Sequence, residues 1–217
     1  MINRRGFTLA EVLITLGIIG VVASMTIPTL MNKVEDIQLK TAWKKDYSVL
    51  AQAHAQLIAT NVLPVHSITN YETVLKPYLK VSKTCYTSTA GCWHKAGEMY
   101  TLSNVPVSYT GDGTVFVLTD GTMIKMPSGA WTPTAPRTLV STAHGAGQML
   151  VDVNGFKKPN RVGYDIFSVE IYGDGLFPSG GFNTHYDQGS YCRRGQPGAS
   201  YSEGTGCSAA AIEGVAY

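Results

Sequence analysis

Twenty consecutive residues, Val12 to Met31, carry no charge, and that run constrains the fold more than any other feature of the chain. At about 1.5 Å of rise per residue, a helix of this length crosses a bilayer core of about 30 Å. A short basic leader precedes it, with the junction Arg4-Arg5-Gly6-Phe7-Thr8-Leu9 and a single carboxylate, Glu11, at the entrance. No small-residue cleavage site follows the apolar run, which separates it from an ordinary secretory signal. Arg4 and Arg5 are expected to remain cytoplasmic, so the rest of the chain is expected outside. Glu11 is the anomaly. A carboxylate just inside a membrane span costs roughly 2.5–3.5 kcal/mol on insertion scales, so it needs a partner or a purpose.

These residues resemble the class III leader of type IV pilins and type II secretion pseudopilins. The resemblance places Gly6 before the scissile bond, makes Phe7 the N-methylated new amino terminus, and puts Glu11 at the fifth mature position. Gly17, Gly20 and Pro28 stand where family members carry helix-weakening residues. The likeness is tight over about the first fifty residues and loose beyond them. It implies a leader peptide over 1–6, a transmembrane and assembly helix over 7–31, and an extracytoplasmic pilin-like domain over 32–217 that includes the second half of the long helix.

The implied fold is α+β: a long N-terminal helix packed on an antiparallel sheet, with a disulfide-bounded C-terminal loop. The implied protein is a structural subunit, not an enzyme, of a type IV pilus-like filament. The alternatives are a type II secretion pseudopilin in a periplasmic piston and, from a different class, a non-filament binding or adhesive membrane-anchored protein. Implied partners are a prepilin peptidase that also methylates, an assembly ATPase acting through an inner-membrane platform protein, and other pilins. The implied location is the inner membrane, single-pass, and then an extracellular or periplasmic filament. The expected assembly contact joins Glu11 of one subunit to the Phe7 ammonium of the next, because a buried charge is far less costly paired than alone. No cofactor is implied.

Lys+Arg number 17 and Asp+Glu 15; without Arg4 and Arg5 of the leader the balance is 15 against 15. A neutral mature chain gives no bulk electrostatic case for nucleic-acid binding. The four cysteines fall as two close pairs, Cys85/Cys92 and Cys192/Cys207, and an exported chain favours disulfides over free thiols. Four cysteines allow three connectivities; local pairing is favoured because each pair brackets a turn-rich stretch. Neither spacing suits zinc, and the adjacent His94 lies only two residues from Cys92.

Beyond Pro28, Val34, Ile37, Leu39, Trp43, Tyr47, Leu50, His54, Leu57 and Ile58 recur at three- and four-residue steps, the period of an amphipathic helix. The helix is therefore expected to run on from the membrane span and to stop near Asn61, with Gly17 to Pro28 the place for a bend or local melting. A second helix is expected from about Asn70, as N-cap, to Lys80, weakened by Pro77. Asp120-Gly121 between the runs Thr114–Thr119 and Thr122–Met126 predicts a β-hairpin. Gln148–Val153 and Tyr164–Ile171 are further strands, and 127–147 reads as a long loop. From Gly173 onward few apolar residues are available for a core.

Candidate chemistry elsewhere is sparse. Asp152, Asn154 and Asp165 resemble part of a calcium loop, but the alternating ligand order and terminal glutamate of an EF-hand are absent; Asn154-Gly155 equally forms an ordinary turn. No metal site is assigned. The histidines are scattered, with neither a Gly-x-Ser-x-Gly elbow nor a His-Glu-x-x-His helix, so no catalytic residues are assigned. Tyr172, Phe177, Phe182, Tyr186, Tyr191 and Tyr201 either form an adhesive surface or pin the C-terminal loop to the sheet.

Overall fold

The computed structural model describes residues 6, 8–60, 70–86, 91–109, 113–126, 147–172, 175–181, 184, 191–192 and 203–214. The expected loop at 127–147 therefore lies outside the described residues except for its last position. The chain falls into two compact units, Met1–Gln38 and Leu39–Tyr217.

Helix α1 runs from Leu9 to Thr60, and Gly17, Gly20 and Pro28 do not interrupt it. The local melting expected between Gly17 and Pro28 is thus absent from this structure. No residue of α1 before Leu39 is buried. From there the buried positions are Leu39, Trp43, Asp46, Leu50, Ala53, His54 and Leu57, a three- and four-residue spacing that lines one face of a helix. Val34, Ile37 and Ile58 read as part of that stripe but are exposed. Asp46, which is not part of that predicted stripe, is buried and accepts a hydrogen bond from the Thr122 hydroxyl at 3.0 Å. Lys45 pairs with Asp120, so one helical turn grips the hairpin tip.

The second helix is shorter than expected. Helix α2 covers Tyr71–Leu75 and passes into a 3₁₀ turn over Lys76–Tyr78, where Pro77 can offer no amide to an α-helical ladder. Asn70 holds the N-cap position in a left-handed conformation (φ 62°) without a side-chain cap; its carbonyl accepts the Thr73 amide at 2.9 Å instead.

Six strands form one antiparallel sheet in the order β1 (Val81–Cys85), β4 (Val115–Leu118), β5 (Met123–Lys125), β6 (Gly147–Asp152), β7 (Ile166–Tyr172) and β8 (Gly175–Pro178). Strands β2 (Met99–Tyr100) and β3 (Pro106–Val107) pair separately. The β4–β5 hairpin forms as Asp120-Gly121 predicts, though with three connecting residues instead of two. Leu118 N–H bonds the Thr122 carbonyl at 2.8 Å, and Gly121 takes φ +96°, a conformation suited to glycine in a three-residue hairpin loop.

Side chains alternate across the sheet. Phe116, Leu118, Ile124, Met149, Val151, Phe167 and Val169 cluster with Trp43, Leu50 and Leu57 of α1 and Tyr71 and Leu75 of α2. Val115, Met123, Leu150 and Ile166 cluster instead with Cys92, Trp93, Met99 and Val107. The segment around the first cysteine pair is therefore a second cover on the sheet, and β7 is buried along its whole length.

The C-terminal region departs most from expectation. It supplies β8 and a helix, α3 (Cys207–Glu213), in which Cys207 to Ala211 are buried. Trp43 stacks on Phe167 with centroids 4.9 Å apart and donates its indole N–H to the Ser208 carbonyl at 2.8 Å. Ser168 N–H donates to the Ser208 hydroxyl at 2.8 Å. The small residues of α3 permit that close approach. Gly180, at φ +91°, shows how tight the packing is: a Cβ there would lie 1.8 Å from the Gly206 carbonyl oxygen. Disulfides join Cys85 to Cys92 and Cys192 to Cys207, with Cα–Cα distances of 6.2 and 4.7 Å.

Candidate functional site

The entrance to α1 holds the residues on which the expected chemistry depends. Phe7 lies outside the described residues, as do Arg4 and Arg5; Gly6 is exposed. Thr8 stands at the N-cap and Glu11 three residues later. The Glu11 Oε2 accepts the Thr8 amide and the Thr8 hydroxyl, each at 2.8 Å, while the Glu11 amide donates to Thr8 Oγ1 at 3.3 Å. This is a capping box, in which two otherwise unsatisfied amides at a helix start are paired reciprocally. The Thr-x-x-Glu spacing carried that signal in the sequence. Both Thr8 contacts fall on one oxygen, and Oε1 receives neither of them.

Behind the cap the helix offers a continuous apolar surface. Leu9, Leu13, Ile14, Leu16, Ile18 and Ile19 are each at least 60% exposed, and α1 is long and apolar enough to cross a membrane. A helix that is apolar all round is at rest only in lipid or among other helices. Thr15 and Thr26 do not break this character, because their hydroxyls bond carbonyls of the preceding turn.

In the second unit, the three residues of the suggested calcium loop do come together, but as a satisfied knot. His94 Nε2–H donates to Asp152 Oδ2 at 2.6 Å, and both residues are buried. Asp165 accepts the Asn160 amide at 2.8 Å and the Arg161 amide at 2.5 Å. The Asn154 side chain sits between the two carboxylates; the orientation donating to Asp152 Oδ1 at 2.9 Å and the Lys157 carbonyl at 3.2 Å satisfies both its amide atoms, whereas the reverse gives one donation, to Asp165 Oδ2 at 3.3 Å. Burial pushes the Asp165 carboxyl up to about 6, against the lowering effect of its amide donors, with Asp152 adding to the rise. Burial likewise raises Asp152, opposed by His94. Among the described residues no group of three or more His, Cys, Asp or Glu side chains is arranged to hold a metal ion. Nothing in the sequence announced the His94–Asp152 pair, whose members are 58 residues apart.

Three of the six C-terminal aromatics read as either an adhesive surface or a pin for the loop are described. Tyr172 is buried and meets half-buried Phe177 edge to face at 5.8 Å; Tyr191 is half-buried. Phe182, Tyr186 and Tyr201 lie outside the described residues.

Residues 1–27 match the family described as the prokaryotic N-terminal methylation motif. The chain thus opens with a class III prepilin leader, typical of type IV pilins and pseudopilins. No curated protein and no solved structure matches the chain. The long apolar helix, the antiparallel sheet and the Cys192–Cys207 disulfide form an α+β, pilin-like fold. The motif and the long helix suit a protein anchored in the inner membrane and later held in a filament, after processing by a prepilin peptidase and assembly with other pilins.

Proposed function

We propose that the chain is a structural subunit of a type IV pilus-like filament, made as a membrane-inserted precursor, cleaved between Gly6 and Phe7, N-methylated at Phe7 and polymerised through its N-terminal helix. The observation that carries this reading is the methylation motif on residues 1–27, seated on a helix whose apolar surface is unburied up to Leu39. In this reading residues 1–6 are the leader, 7–31 the membrane and assembly helix, and 32–217 the extracytoplasmic domain. Gly17, Gly20 and Pro28 lower helix stability where the chain must adapt from lipid to filament. An assembly ATPase, acting through a platform protein, drives extraction from the bilayer.

Glu11 has two successive tasks in this account. Before assembly its Oε2 closes the capping box with Thr8, and a carboxylate so engaged is less costly near lipid. After cleavage the neighbouring subunit's Phe7 ammonium is within the chemistry of Oε1, and the pair neutralises two charges that would each be expensive alone. Co-expression of the chain with a prepilin peptidase tests the reading. Intact mass should fall by residues 1–6 and gain one methyl group; an unprocessed precursor in the presence of active peptidase would overturn it.

A further inference from the structure

The turn that follows β6 is held from below and open above. Asp152 accepts the Asn154 amide at 3.1 Å, and Asp165 accepts the Asn160 and Arg161 amides. Both carboxylates are fully buried, so each end of the segment 154–161 is tied to the interior. Between the ties, Phe156, Lys157 and Lys158 are exposed. The Phe156 ring is 56% exposed and rests edge to face on buried His94, with centroids 5.4 Å apart. A lone exposed apolar side chain needs no explanation. This one stands on a turn anchored by two buried carboxylates and is flanked in sequence by two lysines, an arrangement that presents a ring and cations together.

A second segment completes the surface. Glu98 and Tyr100, the latter 36% exposed, line one cleft with Phe156, Lys158 and Pro159. Lys95 is exposed in the same segment, its amide bonded to Glu98 Oε2 at 2.9 Å. Over residues 94–100 and 155–160 the exposed charges are Lys95, Lys157 and Lys158 against Glu98. Local cation excess thus surrounds two accessible rings on a chain whose charge is otherwise balanced. An anionic lipid surface suits both features. Aromatic rings settle at the boundary between headgroups and acyl chains, while lysine ammoniums stay among the phosphates with their stems along the apolar layer. A nucleic acid binds through a track of phosphate contacts, whereas these cations gather about one ring.

We propose that this face of the second unit docks on an anionic phospholipid surface other than the membrane that anchors the chain, with Phe156 entering the interface and Lys95, Lys157 and Lys158 meeting lipid phosphates. The test uses the full chain in phosphatidylcholine nanodiscs, mixed with larger vesicles of phosphatidylcholine with or without phosphatidylglycerol, and measures co-sedimentation against empty nanodiscs. Binding should require phosphatidylglycerol and weaken as salt is raised. Phe156→Ala should weaken it about tenfold, and Phe156→Trp, which restores an interfacial ring, should retain it. At about fivefold per lysine, Lys157→Gln with Lys158→Gln should weaken it roughly twentyfold. Lys76→Gln with Lys80→Gln removes equal charge next to α2, whose buried residues pack with α1 on the other face of the sheet, and should bind as the unaltered chain does. The proposal is overturned if neither vesicle binds, if both bind equally, if Phe156→Ala binds normally, if the Lys76 and Lys80 pair matters as much, or if a DNA oligonucleotide binds where vesicles do not. Binding is read on the unassembled subunit, so the outcome is independent of whether the chain polymerises.

Discussion

Replacing Asp165 by asparagine should remove a pH-dependent weakness from the sheet's β6–β7 connection. Asp165 is fully buried, and burial lifts its carboxyl to about 6, against about 3.9 in an unfolded chain. Between those values the folded state binds a proton that the unfolded state has released, so stability falls as pH rises through this window. Two units at about 1.36 kcal/mol each give roughly 3 kcal/mol as the full cost at pH 7. Below about pH 4 both states are protonated and the cost vanishes. The asparagine side chain carries no charge at any pH and retains one oxygen for the Asn160 or Arg161 amide. Urea unfolding of the full chain in nanodiscs, at pH 4 and at pH 7, should therefore show Asp165→Asn gaining on the unaltered protein by up to roughly 3 kcal/mol as pH rises. A difference between the two proteins that stays constant with pH, or that shrinks as pH rises, would refute this account of the buried carboxylate.

Two further substitutions probe the C-terminal region. Removing the Cys192–Cys207 bridge by paired alanines opens a loop with a sequence separation of 15, worth about 3 kcal/mol in the chain-entropy model. Because Cys207 opens α3, hydrogen exchange should rise at Ser168 on β7 as well as in the C-terminal segment; protection unchanged at Ser168 would show that α3 docks without the bridge. Trp43→Phe retains an aromatic ring against Phe167 but removes the indole N–H bond to the Ser208 carbonyl, which should cost about 0.5–1.5 kcal/mol in urea unfolding. An unchanged midpoint would mean that the indole bond contributes nothing to holding α3.

Periodic signals in the sequence were strong where one element alone carries the pattern. The apolar run and the three- and four-residue spacing from Leu39 to Leu57 located α1, and Asp120-Gly121 located the β4–β5 hairpin. The apolar spacing did not include Asp46, whose buried carboxylate meets Thr122 across the interface, a contact invisible to a pattern on one helix. Strands β2 and β3 are two residues each, too short to show alternation. Helix α3 escaped because its core is Ser208 to Ala211; small residues give no amphipathic contrast, and they are buried by closeness to β7 instead of by size. At the helix entrance, Glu11 was legible as an anomaly in an apolar run; its Thr-x-x-Glu spacing also held the signal of the capping box, and the structure adds which carboxylate oxygen Thr8 engages.

The central claim is that Glu11 holds subunits together through its charge, and Glu11→Gln tests it most directly. Glutamine keeps an oxygen for the Thr8 amide and hydroxyl, now at 2.8 Å, and serves a capping box as glutamate does, so helix entry and membrane insertion should be preserved. It cannot neutralise a neighbouring Phe7 ammonium, and losing one partner of a buried pair costs about 3–5 kcal/mol. Incorporation of the tagged variant into filaments, measured beside membrane fractionation and cleavage after Gly6, should fall sharply while insertion and processing stay normal. Incorporation of Glu11→Gln at the level of the unaltered chain would contradict the account.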